Sequence, residues 1–91
     1  MRIESVYDEF LTYLSLERNS SPLTVDSYRS DGRVFLRLLD EHDAAHEIEA
    51  VSRQVLRQYV IWLRKRGLQP ATVARRVHSL RSFWNYLWEN E

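Results

Sequence analysis

The sequence predicts an all-α protein, a bundle of four helices built from two αα-hairpins. Apolar residues recur at steps of three and four in four successive segments, which is the spacing of amphipathic helices. Glycine and proline are scarce, with two of each in 91 residues, and this favours long helices joined by short connections. The pattern requires no β-strand.

The first hairpin joins a helix that runs to about Arg18 to a helix that begins at Pro22. Ser21 is a predicted N-cap, because a serine before a proline at the first helical position suits a helix start. Gly32 lies inside the second helix at a cost of about 1 kcal/mol relative to alanine, so we expect a neighbouring helix to approach closely there. The predicted inward-facing residues are Ile3, Val6, Tyr7, Phe10, Leu11 and Leu14, followed by Val25, Tyr28, Phe35, Leu36 and Leu39.

The second hairpin follows an acidic, weakly periodic segment, residues 40–50, which we interpret as a connection or a frayed helical turn. Ser52 is placed to cap the third helix, and Gly67 supplies the left-handed residue that ends it. Pro70 opens the fourth helix. The predicted inward-facing residues are Val55, Leu56, Tyr59, Val60, Trp62 and Leu63, followed by Val73, Val77, Leu80, Phe83, Trp84 and Leu87.

Composition excludes several classes of function. The chain has no cysteine, which excludes disulfides, thiolate metal sites and a cysteine nucleophile. The longest apolar run, residues 59–63, is far shorter than a membrane span, and the N-terminal residues lack the apolar stretch of a signal peptide. We therefore expect a cytoplasmic protein that does not enter membranes.

The zero net charge averages two opposite halves. Residues 1–50 hold five basic and eleven acidic residues, a net charge of −6, whereas residues 51–91 hold eight basic and two acidic residues, a net charge of +6. A basic half attracts polyanions, although two solvated faces would give the same count.

Several motifs in order carry a family resemblance. They are Phe10 to Leu14, Glu17-Arg18, Ser21 to Asp31, Leu63 to Leu68 and, most diagnostic, Pro70 to Leu87. Together they resemble the N-terminal core-binding, SAM-like domain of tyrosine recombinases, the phage-integrase and Xer-type family, over nearly the whole chain. Gln69 departs from the pattern, because a serine cap often precedes this proline in the family.

The resemblance implies that residues 1–91 are one core-binding domain and that the catalytic domain is absent. The family's chemistry belongs to that second domain, and none of the five tyrosines here matches its nucleophile. We therefore expect no catalysis and no cofactor or metal. The resemblance implies double-stranded DNA and the parent recombinase's catalytic domain as partners, in DNA integration or recombination. The domain alone would be a monomer that assembles only on DNA.

The family implies that the second and fourth helices face DNA. At 100° per residue, the fourth helix places a polar and cationic face beside its apolar face. Arginine can bind phosphate or guanine with two hydrogen bonds, and hydroxyls near a helix start position a protein on the backbone. The predicted DNA-binding residues are Ser21, Thr24, Ser27, Arg29, Thr72, Arg75, Arg76, Ser79 and Ser82.

Two other interpretations follow from the residues. His42 and His46 are four apart, which could present two metal ligands, but a solvated acidic loop is the stronger interpretation. The opposite charges of the halves also predict an alternative function, a helical module that self-associates through its acidic and basic faces.

Overall fold

The computed structural model describes residues 1–89, which form four helices and one short 3-10 turn. The elements are α1 (Ile3–Leu16), α2 (Pro22–Glu41), the 3-10 turn (Ile48–Ala50), α3 (Arg53–Lys65) and α4 (Pro70–Glu89). Within residues 1–89 there is no β-strand, only an isolated antiparallel bridge between Arg2 and Glu47. The predicted all-α class and the four helices are confirmed.

Local signals set the helix ends. The Ser21 hydroxyl accepts the Thr24 backbone N–H at 3.2 Å, and the Ser52 hydroxyl accepts the Val55 N–H at 3.3 Å. Both serines therefore satisfy N–H groups that a helix start otherwise leaves unpaired. Gly67 follows α3 with a φ of +74°, the left-handed conformation that glycine adopts without strain.

One core fills the space between the helices. α4 packs against each of the other three, and both predicted hairpin pairs, α1 with α2 and α3 with α4, are in contact. Rings from α1 and α4 meet at its centre, where the Phe10 and Phe83 centroids lie 5.5 Å apart. The buried apolar residues are Ile3, Val6, Tyr7, Phe10, Leu11, Leu14, Val25, Phe35, Leu38, Leu39, Tyr59, Trp62, Leu63, Val73, Leu80 and Phe83.

Gly32 of α2 lies directly against the Tyr7 ring of α1. A Cβ atom at this position would lie 2.5 Å from the Tyr7 ring, well inside contact distance. The Tyr7 hydroxyl then reaches past the glycine and donates to the Tyr28 carbonyl oxygen at 2.6 Å. The close approach predicted from a glycine inside the helix is therefore confirmed, and Tyr7 is the residue that makes it.

The segment between α2 and α3 is a connection with one 3-10 turn, as predicted, but the expectation that both histidines lie in a solvated loop is wrong for His46. The His42 ring stacks on Trp62 with centroids 4.1 Å apart. His46 is half-buried between two carboxylates, with Nδ1 3.2 Å from Glu4 Oε1 and Nε2 2.8 Å from Asp40 Oδ1. These contacts join the start of α1, the end of α2 and α3.

Backbone hydrogen bonds fasten the same segment to the start of the chain. The Ile3 N–H donates to the His46 carbonyl at 2.8 Å, and the Ile48 N–H donates to the Met1 carbonyl at 2.8 Å. We call this pair of bonds the clasp. None of the helices within residues 1–89 is long and apolar enough to cross a membrane.

Candidate nucleic-acid interface

Two flanks of α4 carry its polar residues. Thr72, Arg75, Ser79 and Ser82 follow one another at three- and four-residue steps, so they lie along the side of α4 that faces α2. We call this side the α2 flank. The side of α4 that faces α3, on the other edge of the apolar face, carries Ala74, His78 and Arg81 and is called the α3 flank.

Asp31 of α2 is the centre of the α2 flank. Its side chain is only 2% exposed, and its Oδ1 lies 3.0 Å from Nη1 of Arg75. The Ser79 hydroxyl, itself on a residue 2% exposed, donates to Asp31 Oδ2 at 2.6 Å. A buried carboxylate needs such partners because burial without them is strongly unfavourable. Asp31 therefore binds α2 to α4 through two of the predicted DNA-binding residues.

The side chains of Ser79 and Arg76 are largely buried. Ser79 belongs to the polar face predicted for α4, but it is buried, and its hydroxyl donates to Asp31 beneath the surface. Arg76 is 21% exposed, and its Nε is buried 4.0 Å from Asp31 Oδ1. Arg76 thus contributes positive charge next to the buried carboxylate, with little of its own surface open to a ligand.

Tyr59 of α3 lies close to this charge cluster. Its hydroxyl is buried and has no hydrogen-bond partner among residues 1–89. Burial raises the pKa of this hydroxyl above its ordinary value, with the Arg76 charge acting in the opposite direction and Asp31 acting in the same direction as burial. Tyr59 therefore stays neutral beside the ion pairs.

Arg75 differs from its neighbours, because its side chain remains 49% exposed while Asp31 holds it. Asp31 contacts only the Nη1 end of the guanidinium, at 3.0 and 3.2 Å. The group has five N–H donors in a rigid plane, so one end can be fixed while the rest faces outward. Thr72 and Ser82 on the same flank are half-buried.

The start of α2 supplies exposed hydroxyls. Ser21 and Thr24 are both exposed, and their side-chain oxygens lie 3.0 Å apart within the helix cap. Ser27, one turn further on, is also exposed. These groups stand at the positive end of the α2 dipole, where backbone N–H groups and dipole together favour anions.

Arg29 is not brought together with the other predicted residues. It is two positions from Ser27, a rotation of about 200° on a helix, and it lines a shallow cavity with α1 residues such as Thr12 and Leu16. Its guanidinium is paired with Asp26 at 2.5 Å. Arg29 therefore lies on the far side of α2 from Ser27.

Four cations that are not among the predicted DNA-binding residues lie where α3 meets the α3 flank of α4. Arg53, Arg57 and Arg64 of α3 line two adjoining cavities with Arg81 of α4. Their spacing of four and seven residues was a usable signal, because it places all three on one helix face. Arg66, by contrast, is ion-paired with Glu41.

The fold defines a small all-α domain of four helices. The model of the phage integrase N-terminal SAM-like domain family matches residues 7–91. The chain belongs to that family, and the resemblance found in the sequence is confirmed.

Curated relatives are tyrosine recombinases. The chain is 36% identical over 88 residues to tyrosine recombinase XerC of Pelotomaculum thermopropionicum, covering 92% of this chain and 29% of the relative. It is 39% identical over 79 residues to XerC of Listeria welshimeri, covering 87% and 26%. It is 31% identical over 85 residues to XerD of Listeria innocua, covering 93% and 29%. The chain thus spans less than a third of these relatives. No solved structure matches.

Proposed function

We propose that this chain is a double-stranded DNA-binding domain of a site-specific tyrosine recombinase, and that it positions the parent protein on its DNA site without taking part in the chemistry. The observation that carries the proposal is the Arg75 guanidinium, which is half-exposed on the α2 flank while buried Asp31 holds one end. A cation fixed in this way loses less conformational freedom when it binds a phosphate or a base.

The proposed surface is narrower than the set predicted from sequence. It consists of exposed or half-exposed groups on the α2 flank and at the start of α2, namely Ser21, Thr24, Ser27, Thr72, Arg75 and Ser82. Arg76 and Ser79 act indirectly, because they hold Asp31 and through it Arg75. Arg29 lies on another side of α2 and is left out of the surface.

Each part of the surface has a distinct role in the proposal. The hydroxyls and the N–H groups at the start of α2 bind phosphate oxygens, and these contacts set orientation. The outer N–H groups of Arg75 can bind a phosphate or the O6 and N7 atoms of guanine. Since few cations take part, binding by the domain alone is weak, and log K falls with log[salt] at roughly −0.9 per phosphate neutralised.

The same proposal assigns the chemistry to another domain of the parent recombinase. The domain acts beside a catalytic domain that performs DNA integration or recombination in the cytoplasm. Without DNA the domain is a monomer, and sedimentation at increasing concentration tests this directly. A mass that rises with concentration would instead favour self-association between the acidic and basic faces.

An NMR titration tests the proposal. The isotopically labelled chain is titrated with a mixed-sequence duplex at low and then high salt. We expect amide shifts in residues 21–27 and 72–82 that disappear at high salt, because the contacts are ionic. If the folded chain shows no shifts in these segments, the proposed surface is wrong.

Two matched variants sharpen that titration. Arg75→Gln removes the positioned cation, whereas Arg29→Gln removes an exposed arginine of α2 that lies outside the proposed surface. We expect Arg75→Gln to weaken duplex binding about tenfold and Arg29→Gln to leave it within about twofold. Equal losses would mean that Arg75 has no special position.

A further inference from the structure

A groove runs between α3 and α4 on the α3 flank. It consists of two adjoining cavities of 360 and 510 Å³ that share Val60, Val77 and Arg81 in their walls. Helices α3 and α4 run in opposite directions along the groove, because Arg53 at the start of α3 shares a cavity with Arg81, whereas Arg64 near its end shares one with Pro70.

The floor of the groove is apolar. Side chains from both helices and from the loop between them form it, and most are only partly buried in the core. Its members are Leu56, Val60, Leu68, Val73, Val77 and Leu80. An apolar strip left open between two helices is stabilised when an apolar surface covers it.

The rim of the groove is cationic. Arg53, Arg57 and Arg64 line it from α3 and Arg81 lines it from α4, all exposed. Within residues 1–89, none of the four is ion-paired and no carboxylate lines either cavity. The chain holds thirteen acidic residues, so their absence from this rim is a local property of the groove.

The dimensions suit a short helix. From Arg53 to Arg64 the groove extends eleven residues along α3, about 16 Å at a rise of 1.5 Å per residue, which is about three helical turns. Apolar side chains on one face of such a helix would cover the floor, and carboxylates beside them would meet the arginines on both rims.

We propose that this groove binds an amphipathic helix of a protein partner, with an apolar row along one face and Asp or Glu on either side of it. The proposal does not depend on the DNA-binding function, because the groove and Arg75 lie on opposite flanks of α4. Rim charges would speed association and select acidic helices, and the apolar floor would hold them.

Two other occupants fit less well. Duplex DNA could pair its phosphates with the rim arginines, but its polar backbone would leave the apolar floor without an apolar surface to cover it. A second copy of this chain could offer its acidic α1, but the exposed residues of α1 include a single apolar side chain, Leu16, beside groups such as Asp8 and Glu9. One anchor leaves most of the floor uncovered.

The test uses the labelled chain and a synthetic stapled helical peptide of about fifteen residues, with leucine at three- and four-residue steps and glutamate on both sides of that row. Stapling removes most of the ordering cost of a short free helix. We expect saturable NMR shifts at residues of the groove, such as Val60, Val77 and Arg81, and none at Ser21 or Ser27. A peptide with lysine in place of glutamate should bind at least about tenfold more weakly.

Charge-reversal variants give the matched comparison. Arg53→Glu with Arg57→Glu reverses two rim charges four residues apart, and Arg33→Glu with Arg37→Glu makes the same change at two exposed positions of α2 outside the groove. We expect the first pair to weaken peptide binding about tenfold or more and the second to leave it within about twofold. Arg81→Glu, on the opposite rim, gives a second variant if the first is poorly folded by circular dichroism.

Four results would overturn the proposal: no saturable shifts in the groove, equal weakening by both pairs of variants, tighter binding of the lysine peptide, or displacement of the acidic peptide by duplex DNA. The last result would make the groove part of a DNA surface. Loss of duplex binding with retained peptide binding would refute only the DNA-binding proposal, so the two proposals fail separately.

Discussion

The two flanks of α4 use arginine in opposite ways. On the α2 flank, Arg75 and Arg76 surround the buried carboxylate of Asp31, and much of their charge is balanced inside the protein. On the α3 flank, arginines such as Arg57 and Arg81 stand beside an apolar groove with no ion pair among residues 1–89. The formal charge of a segment therefore does not tell how much of that charge a partner can reach.

The two flanks of α4 should also differ in how much they contribute to the free energy of unfolding. The attraction within a buried ion pair offsets the free-energy cost of desolvating the two charges only when the geometry of the pair is good. Removing one partner leaves an uncompensated charge. Exposed arginines without partners contribute little to folding. We thus expect the α2 flank to affect stability most strongly, and the α3 flank to affect binding with little effect on stability.

Loss of the buried carboxylate should have the largest effect. Asp31→Ala leaves Arg75 and Arg76 without their shared partner, and we expect the free energy of unfolding to fall by about 3 kcal/mol. Asp26→Ala is the control, because it breaks an exposed pair with Arg29 on the same helix and should change stability by no more than about 0.5 kcal/mol. Denaturant unfolding measures both. Similar losses in the two variants would mean that the buried Asp31 carboxylate matters no more to stability than an exposed ion pair.

Alkaline pH should destabilise the protein, because two tyrosines, Tyr7 of α1 and Tyr59 of α3, are buried in the core. Burial raises the pKa of Tyr7 and Tyr59 above 10.0, their ordinary value, so the folded chain keeps protons that the unfolded chain loses. This stability is fully present below pH 10 and falls as pH rises above it, by about 1 kcal/mol per tyrosine at pH 11.

Denaturant unfolding between pH 8 and pH 11 measures this fall. A double Tyr7→Phe and Tyr59→Phe variant should show a shallower decrease, because it lacks the two hydroxyls with raised pKa. An equally steep decrease in the variant would assign the effect to other groups.

Replacing Tyr7 and Tyr59 one at a time compares a hydroxyl that donates a hydrogen bond with a buried hydroxyl that has no hydrogen-bond partner among residues 1–89. Tyr7→Phe removes a hydrogen bond to the Tyr28 carbonyl, so we expect a loss of about 1 kcal/mol in the free energy of unfolding. Tyr59→Phe removes a buried hydroxyl without a hydrogen-bond partner among residues 1–89, so stability should stay level or rise by up to about 1 kcal/mol. A clear loss in Tyr59→Phe would show that its hydroxyl has a partner.

Removal of groove arginines from α3 should have the smallest effect on the stability of the fold. Arg53→Ala with Arg57→Ala removes two like charges one turn apart on an exposed helix face. We expect the free energy of unfolding to change by no more than about 0.5 kcal/mol, measured beside Asp31→Ala. A loss as large as that of Asp31→Ala would give the groove arginines a structural role.

Local features of the sequence were sufficient to predict the helices. Ser21 with Pro22 fixed the start of α2, and Pro70 fixed the start of α4, because caps and prolines act on the backbone next to them. The end of α1 came two residues earlier than expected, at Leu16 instead of about Arg18. Helix ends depend on one or two hydrogen bonds and are the least certain part of such a prediction.

The site was harder to predict because its contacts cross the chain. Asp31 is separated from Arg75 and Ser79 by 44 and 48 residues, and periodicity within α4 cannot show that a carboxylate from α2 lies against it. Ser79 therefore looked like an exposed polar residue. In the same way, nothing near His46 in sequence indicates that Glu4 lies beside its ring.

The clasp has a consequence for the order in which the chain can acquire its structure. Helices α1 and α2 are neighbours in sequence, yet Met1 and Ile3 are bonded to residues 48 and 46, which come after α2 ends. Closing the clasp brings together residues more than forty positions apart. The loss of chain entropy in closing such a loop must be offset by contacts that form at the same time. The start of the chain therefore reaches its final position only when residues 46–48 are available to bind it.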